Sequence, residues 1–200
     1  MTKFLIQHGF SQSKSDYSLF TKHTHGVFVF VLVHVDDLLI TGNDSLGISA
    51  LKSRLHSTFT IKDLRLARYF LGIEIARSSV GTILNQRKYV LDILQDAGLT
   101  SVKPAKFPLP KGLHLIVDTG DLLSDPSAYR RLVGRLLYLT LTRPDISYSV
   151  QHLNQFLQHP RQPHYEAALH VLRYLKGTTH HGLFYPVSSN LQLQAFCDAD

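Results

Sequence analysis

Residues 27–42 read VFVFVLVHVDDLLITG and place two apolar runs on either side of the pair Asp36-Asp37. Val, Ile and Phe favour β-strands, and each run is too short and too rich in β-branched residues to favour a helix. Two strands joined by a tight turn would hold both carboxylates at the tip of a hairpin, above an apolar sheet. Such a sheet cannot neutralise them, and Mg²⁺ is the usual partner because it prefers hard oxygen ligands. The stretch therefore predicts a metal-binding hairpin.

The residues from His34 to Asp37 also fit a solvated turn, because Asp tolerates turn conformations and hydrogen-bonds its own backbone. Taken alone, a solvated turn is the commoner structure for an Asp-Asp pair. The choice between the two interpretations depends on the rest of the chain.

Seven segments spread along nearly the whole chain are informative together: GFSQSKSDYSLFT at 9–21, the hairpin FVLVHVDDLLITGND at 30–44, YFLGIEI at 69–75, NQRKYVLDIL at 85–94, YRRLVGRLLYLTLTRPDISYS at 129–149, ALHVLRYLKG at 168–177 and LQAFCDAD at 193–200. In this order they resemble parts of the reverse transcriptases of copia-type LTR retrotransposons. In the family these segments belong to the catalytic hairpin, the primer grip, the thumb and connection, and the first strand of RNase H. This extent of colinear similarity favours the metal-binding interpretation.

The resemblance implies an α+β fold in which a partial polymerase palm, an antiparallel sheet with helices, precedes a helical thumb and connection region and a truncated RNase H strand. We expect the C-terminal part of the palm, with the catalytic hairpin and the primer grip, at 1–85. The mostly helical thumb and connection would occupy 86–186, with a linker rich in Pro and Gly at 104–126. The start of RNase H would occupy 187–200.

Periodicity and turn residues predict the individual elements. The predicted helices cover 1–8, 46–57, 86–97, 127–141, a segment that opens at Pro144, and 163–176. The predicted strands cover 17–21, 27–33, 38–41, 59–61, 69–77, 82–84, 182–185 and 191–197.

The family's activity implies that this chain is a fragment of an RNA-directed DNA polymerase, which adds dNTPs to a primer on a template with Mg²⁺. By this resemblance Asp36 and Asp37 are catalytic metal ligands, and Asp36 is the more direct ligand. The third aspartate of the family belongs to a motif that precedes the hairpin, and it has no counterpart here. We therefore expect the isolated chain to be inactive and leave open whether it acts as an enzyme. The implied partners are a primer–template duplex, dNTPs and the remainder of the Pol polyprotein.

The resemblance also assigns a primer grip to Phe70, Leu71, Gly72, Ile73 and Glu74. A glycine here would let a phosphate approach the backbone, although it would equally relieve a bend in a core hairpin. Two positions depart from the family. His34 stands where the family usually has Tyr, and Arg65 stands where it usually has Gly. An arginine at that turn is strained if the backbone requires a positive φ.

A basic group near the predicted thumb is the candidate for nucleic-acid binding, and it consists of Arg130, Arg131, Arg135 and Arg143. Arg131 and Arg135 lie one helical turn apart and would present a shared face to phosphates. A solvated helix face is the alternative for each residue. Asp198 matches the first RNase H metal ligand of the family, but its partner ligands are missing.

Composition restricts the remaining possibilities. Lys and Arg outnumber Asp and Glu by 21 to 15, which gives a net charge of +6 and suits a nucleic-acid partner only weakly. A single cysteine excludes a disulfide framework. There is no apolar run of about 20 residues and no secretory signal pattern, so we expect an intracellular protein without a membrane anchor. A non-catalytic nucleic-acid-binding remnant, or a domesticated module, is the alternative function.

Overall fold

The computed structural model describes residues 1–189 together with 192, 194, 195 and 197. Asp198 lies outside the described residues, and the strand predicted over 191–197 includes residues that also lie outside them. The chain forms two compact units, Met1–Ala67 and Arg68–Asp200, called here the first and second units. The described residues contain two antiparallel sheets and six α-helices, so the predicted α+β class is confirmed.

The first unit contains one four-stranded sheet and two helices. Its strands follow chain order in the sheet and are β1 (Ser11–Gln12), β2 (Leu19–Thr24), β3 (Val27–His34) and β4 (Asp37–Gly42). Its helices are α1 (Thr2–Gln7) and α2 (Ser45–Phe59). The two apolar runs of the hairpin thus form β3 and β4, as predicted.

Alternation along β3 decides which face of this sheet is buried. Val29 and Val31 are buried, whereas the neighbouring Phe28 and Phe30 are partly exposed. The buried valines form a core with residues from both helices and from the start of the sheet, namely Leu5, Phe10, Phe20, Leu51 and Leu55. This core supports the hairpin from one side.

Helix α2 begins with a side-chain cap and ends later than predicted. The Asp44 carboxylate accepts a hydrogen bond from the Gly47 amide at 2.8 Å, which satisfies a free amide of the first turn. At the other end, Thr60 is the C-cap residue, with a left-handed φ of +53°. The strand predicted over 59–61 is therefore wrong, because the helix continues through Phe59 and Thr60 terminates it.

Arg65 occupies the turn position at which the resembling family usually has glycine. Its φ is +68°, and its amide donates to the Asp63 carboxylate at 2.8 Å. The left-handed conformation is unfavourable for a residue with a β-carbon, so the strain anticipated for this arginine is present.

Replacing Arg65 with Gly should raise the free energy of unfolding of the first unit by about 1 kcal/mol, because glycine adopts this φ without strain. The measurement is urea denaturation. Arg65→Ala is the matched control, since it removes the same side chain but keeps the β-carbon. An equal gain in both variants would attribute the effect to the arginine side chain and contradict the strain argument.

The second unit contains a four-stranded sheet and four helices. The strands are β5 (Tyr69–Phe70), β6 (Ile73–Arg77), β7 (Gly81–Asn85) and β8 (Gly182–Pro186), which lie in this order. The helices are α3 (Arg87–Asp96), α4 (Pro126–Leu139), α5 (Ser147–Asn154) and α6 (Gln162–Gly177), and a 3₁₀ turn at Pro144–Ile146 leads into α5. Leucine, valine and isoleucine side chains of all four helices form the core, with Leu136, Leu153, Val171 and Leu172 fully buried.

Two details of the second unit differ from or refine the prediction. Residues 69–77 do not form one strand, because a two-residue turn at Leu71 and Gly72 separates β5 from β6. Helix α3 is terminated as expected by Gly98, which follows the C-cap residue and has a φ of +67°. The amides of Gly98 and Leu99 bond to the carbonyls of Gln95 and Leu94, which is the Schellman arrangement.

The linker 104–126 contains no helix or strand before Pro126, as predicted, and side chains of α6 and of the residue preceding it hold it in place. Arg161 donates to the Val117 and Gly120 carbonyls, each at 2.7 Å. Farther along α6, Arg173 donates to the Lys103 carbonyl at 3.3 Å, just before the linker. Several basic side chains of this region therefore bind backbone carbonyls. Within the described part of the chain, no helix is long and apolar enough to cross a bilayer.

Candidate functional site

The carboxylates of the hairpin lie at a two-residue turn. His34 pairs with Asp37 across the ladder, so Val35 and Asp36 form the turn itself. Val35 has a φ of +50°, and the residue is 86% exposed. A β-branched residue is strongly disfavoured in this conformation, and such strain is concentrated at functional sites in proteins. The turn therefore stores strain next to the candidate metal ligands.

Asp36 and Asp37 are both exposed, and within residues 1–189 neither forms an ion pair with a lysine, arginine or histidine. Two adjacent carboxylates without a protein cation suit a divalent metal chemically, because Mg²⁺ takes hard oxygen ligands from one or two carboxylates and from substrate phosphates. No group of three or more His, Cys, Asp or Glu side chains suited to a metal occurs among the described residues. The hairpin therefore offers two adjacent carboxylates, a part of what a divalent metal would need.

The residues assigned to the primer grip form the turn between β5 and β6, called here the grip turn (residues 70–73). Leu71 and Gly72 are its central residues, with φ values of +48° and +78°. The Tyr138 hydroxyl donates to the Leu71 carbonyl, and a β-carbon at Gly72 would lie 3.2 Å from the same hydroxyl oxygen. The open side of Gly72 thus faces Tyr138, and the turn conformation explains the glycine.

Glu74, the last residue of the predicted grip, has a structural partner. Its carboxylate accepts a hydrogen bond from the Lys88 amide at 2.7 Å, in the first turn of α3. An acidic group at this end of a helix satisfies a free amide and complements the helix dipole. The grip turn and the helical part of the second unit are therefore connected through Glu74 as well as through Tyr138.

The four arginines predicted to bind nucleic acid lie in different surroundings. Arg130 donates to the carbonyls of Leu157 and Gln158, at 2.8 and 3.1 Å. Arg135 forms an ion pair with Asp96 at 2.6 Å. Arg131 is exposed, and no hydrogen-bond acceptor for its guanidinium is found among the described residues. Arg131 is therefore the member of the group most available to a phosphate.

Arg143 is buried, with only 2% of its side chain exposed, and its guanidinium is bound on several sides. It forms a bidentate pair with Asp145, at 2.9 and 2.7 Å. It also donates to the carbonyl and hydroxyl oxygens of Thr178, at 2.9 and 2.8 Å. This geometry corrects the expectation for Arg143, because a side chain engaged in this way stabilises the fold and is not presented to a phosphate.

The pKa of the Asp145 carboxyl reflects the hydrogen bonds of this network. Burial raises the pKa of its carboxyl, but hydrogen bonds from Arg143 and from the Tyr174 hydroxyl, the latter at 2.8 Å, outweigh burial and leave the pKa below its usual value. The carboxylate therefore remains ionised beside the guanidinium over the physiological range.

One buried histidine of the second unit has a defined structural role. His164 is fully buried and accepts a hydrogen bond from the Arg161 amide at Nδ1, 3.0 Å away, while Nε2 lies 3.0 Å from the Ile116 carbonyl. An imidazole that accepts at one nitrogen is neutral, so Nε2 carries the proton and donates. Nothing in the local sequence signals this role, because the carbonyl lies in a distant linker.

Burial of His164, together with the neighbouring charges of Arg161 and His152, lowers the pKa of its imidazole despite the bond to Ile116. The unfolded state then binds more protons near pH 6, so the free energy of unfolding of the second unit should fall as the pH drops below about 6.5. Urea denaturation at pH 7.5 and at pH 5 measures the difference in the free energy of unfolding. His164→Gln, which keeps a donor and an acceptor, should reduce the difference; an unchanged pH dependence would contradict the assignment. His170, whose pKa burial also lowers, should contribute in the same direction.

Comparison with known proteins identifies the family. Residues 1–111, more than half of the chain, match the family described as reverse transcriptase (RNA-dependent DNA polymerase). The chain is 42% identical over 200 residues to the retrovirus-related Pol polyprotein from transposon RE1 of Arabidopsis thaliana, which covers all of this chain and 14% of that protein. It is 35% identical over 193 residues to the putative transposon Ty5-1 protein of Saccharomyces cerevisiae, covering 96% of this chain and 63% of that protein.

An uncharacterized mitochondrial protein of Arabidopsis thaliana is 45% identical over 172 residues, which is 86% of this chain and 71% of that protein. No solved structure matches the chain. The chain spans about a seventh of the RE1 polyprotein, as the 14% coverage states. The family match and the polyprotein relatives together show that the chain belongs to the reverse transcriptases of copia-type retrotransposon Pol polyproteins.

Proposed function

We propose that this chain supplies the carboxylate hairpin, the primer grip and the thumb and connection of a reverse transcriptase that adds dNTPs to a primer. The observation that carries the proposal is the position of Asp36 and Asp37, which are exposed and adjacent at a strained two-residue turn in a chain of this family. A solvated turn without function would not need a β-branched residue at a left-handed φ.

Within this proposal Asp36, in the turn, is the direct ligand of Mg²⁺, and Asp37 completes the negative charge of the site. Mg²⁺, when bound, would favour ionisation of the primer 3′ hydroxyl and stabilise the charge that develops on the pyrophosphate. The ladder beneath the turn holds the carboxylates in place, since His34 and Asp37 are its last pair. The exposed His34 lies beside the carboxylates, where the family usually has Tyr.

The proposal includes the inactivity of this chain when it is isolated. The described residues offer two carboxylates at the hairpin and no group of three. Positioning and charge stabilisation supply most of the catalysis in phosphoryl transfer, so a site short of a ligand should not extend a primer. The missing ligand and the nucleotide pocket would come from the remainder of the Pol polyprotein.

A second candidate is nucleic-acid binding without catalysis. It is favoured by the excess of basic residues and by the exposed guanidinium of Arg131. Binding of this kind depends on phosphate contacts and weakens steeply with salt, whatever the base sequence.

One experiment separates the candidates. The homologous segment of the RE1 polyprotein is replaced by this chain, and extension of a primer on an RNA template is measured with Mg²⁺, beside the unaltered polyprotein as a positive control. Extension by the replaced protein supports the polymerase proposal. If the unaltered polyprotein extends primers and the replaced one binds the duplex without extending it, the second candidate is favoured.

A further inference from the structure

The grip turn is poorly stabilised by its own strands. β5 contributes only two residues, which pair as Tyr69 with Glu74 and Phe70 with Ile73. Hairpin turns with two left-handed residues usually place Asn, Asp or Gly at the first position, whereas this turn places Leu71 there. A branched aliphatic residue in that conformation is unfavourable. The turn therefore needs support from outside the hairpin.

Tyr138, near the end of α4, provides such support. Its hydroxyl donates to the carbonyl of Leu71, and a β-carbon at Gly72 would make a tight contact of 3.2 Å with the same oxygen. One hydroxyl thus binds the first central residue of the turn and lies beside the second. The bond joins residues far apart in sequence, so it requires the helices of the second unit to be in place.

The ring of Tyr138 is itself held by neighbours on α3 and α4. Tyr89 contacts it edge to face, with 5.3 Å between ring centroids. The Arg135 guanidinium lies 5.5 Å from the centre of the Tyr89 ring and is fixed by its ion pair with Asp96 at 2.6 Å. These contacts restrict the Tyr138 side chain before any substrate binds. Arg135 therefore contacts Tyr89, which in turn contacts Tyr138.

We propose that Tyr138 is a positioning residue for the primer: its hydroxyl fixes the backbone of the grip turn in the conformation that meets the end of a primer. The inference rests on the proposed function, because it takes residues 70–74 as the primer grip. It adds a residue outside the grip, on another element, that sets the geometry of the grip without contacting the primer. A preorganised turn loses less conformational freedom when the primer binds, which favours binding.

The test compares two tyrosines of the same helix in the full chain. Tyr138→Phe removes the hydroxyl that contacts the grip turn. Tyr129→Phe is the matched control, since the Tyr129 hydroxyl also donates to a carbonyl, that of Leu153 at 2.7 Å, but far from the turn in the core. Hydrogen exchange is followed at the Ile75 amide, which donates to the Arg68 carbonyl beside the turn at 2.8 Å.

We expect exchange at Ile75 to become about tenfold faster in Tyr138→Phe and to change in Tyr129→Phe only as far as global stability changes. The second measurement is the ratio of affinities for a duplex with a recessed primer end and for a blunt duplex of equal length. Tyr138→Phe should lower this ratio about fivefold, whereas Tyr129→Phe should leave it unchanged.

Equal exchange at Ile75 in wild type and Tyr138→Phe would overturn the inference. Faster exchange with an unchanged affinity ratio, where the wild type prefers the recessed end, would overturn the positioning role and leave Tyr138 a purely structural residue. If the wild type itself shows no preference for the recessed end, the primer-grip function fails, and with it the part of the inference that concerns the primer. The exchange result then still decides whether Tyr138 fixes the turn.

Discussion

Asp36→Asn should lower primer extension by at least about 10³-fold when it is introduced into the RE1 polyprotein whose homologous segment has been replaced by this chain. Asparagine has the size of aspartate but lacks the negative charge that holds a divalent cation and compensates its positive charge. The affinity for the primer–template duplex should remain nearly unchanged, because phosphate contacts from basic side chains determine it. Asp37→Asn should have a smaller effect, since the proposal makes Asp36 the more direct ligand and Asp37 its neighbour in the site. Steady-state extension and equilibrium binding are measured on the same preparations.

The control for Asp36→Asn is Asp121→Asn, which changes an exposed aspartate of the linker by the same chemistry. This control should extend primers at the rate of the unsubstituted protein. Extension by Asp36→Asn at an undiminished rate would remove Asp36 from the site and return the hairpin to the interpretation as a solvated turn.

Arg143→Met should lower the free energy of unfolding of the second unit by about 3 kcal/mol, at the lower end of what is found when one partner of a buried ion pair is removed. Methionine fills much of the volume of arginine, so the loss reports mainly on the charge and its hydrogen bonds. The lower figure applies because 35% of the Asp145 side chain is exposed and water can partly compensate its charge. Urea denaturation followed by circular dichroism measures the change.

Arg131→Met is the matched control, since it makes the same substitution at an exposed arginine and should change stability by less than about 0.5 kcal/mol. The double variant Arg143→Met with Asp145→Asn should recover part of the loss, because it removes the carboxylate that the single variant leaves unpaired. A small loss in Arg143→Met, comparable to that of the control, would mean that the buried pair adds little to the fold.

The sequence predicted the hairpin and the helices of the second unit correctly because their signals are local. β3 and β4 are continuous runs of strand formers, and the helices repeat buried leucines at helical spacing. The errors occurred where a backbone conformation contradicts residue preference. Leu71 and Thr60 adopt left-handed conformations that their side chains disfavour, so the turn after β5 was missed and the end of α2 was placed too early.

The surroundings of the basic group could not be predicted from the sequence. Arginine is almost never fully buried unless it is paired, so the sequence gives no sign that Arg143 differs from its exposed neighbours. Its partner Thr178 lies 35 residues farther along the chain. Tyr138 likewise has the sequence surroundings of an ordinary core tyrosine. Its partner Leu71 lies 67 residues earlier in the chain, so nothing near Tyr138 indicates the bond. Long-range partners of this kind depend on tertiary packing.

The closure of the second sheet by β8 has a consequence for how the chain folds during synthesis. β8 pairs with β7 after an excursion of about 100 residues, and contacts so distant in sequence form slowly. The first unit pairs only neighbouring strands and can therefore fold as soon as it leaves the ribosome. The edge of β7 that pairs with β8 therefore stays unpaired until the helices and β8 have been synthesised. During that interval the nascent chain exposes a strand edge of the kind that associates with other chains, and we expect aggregation and chaperone binding to concentrate there.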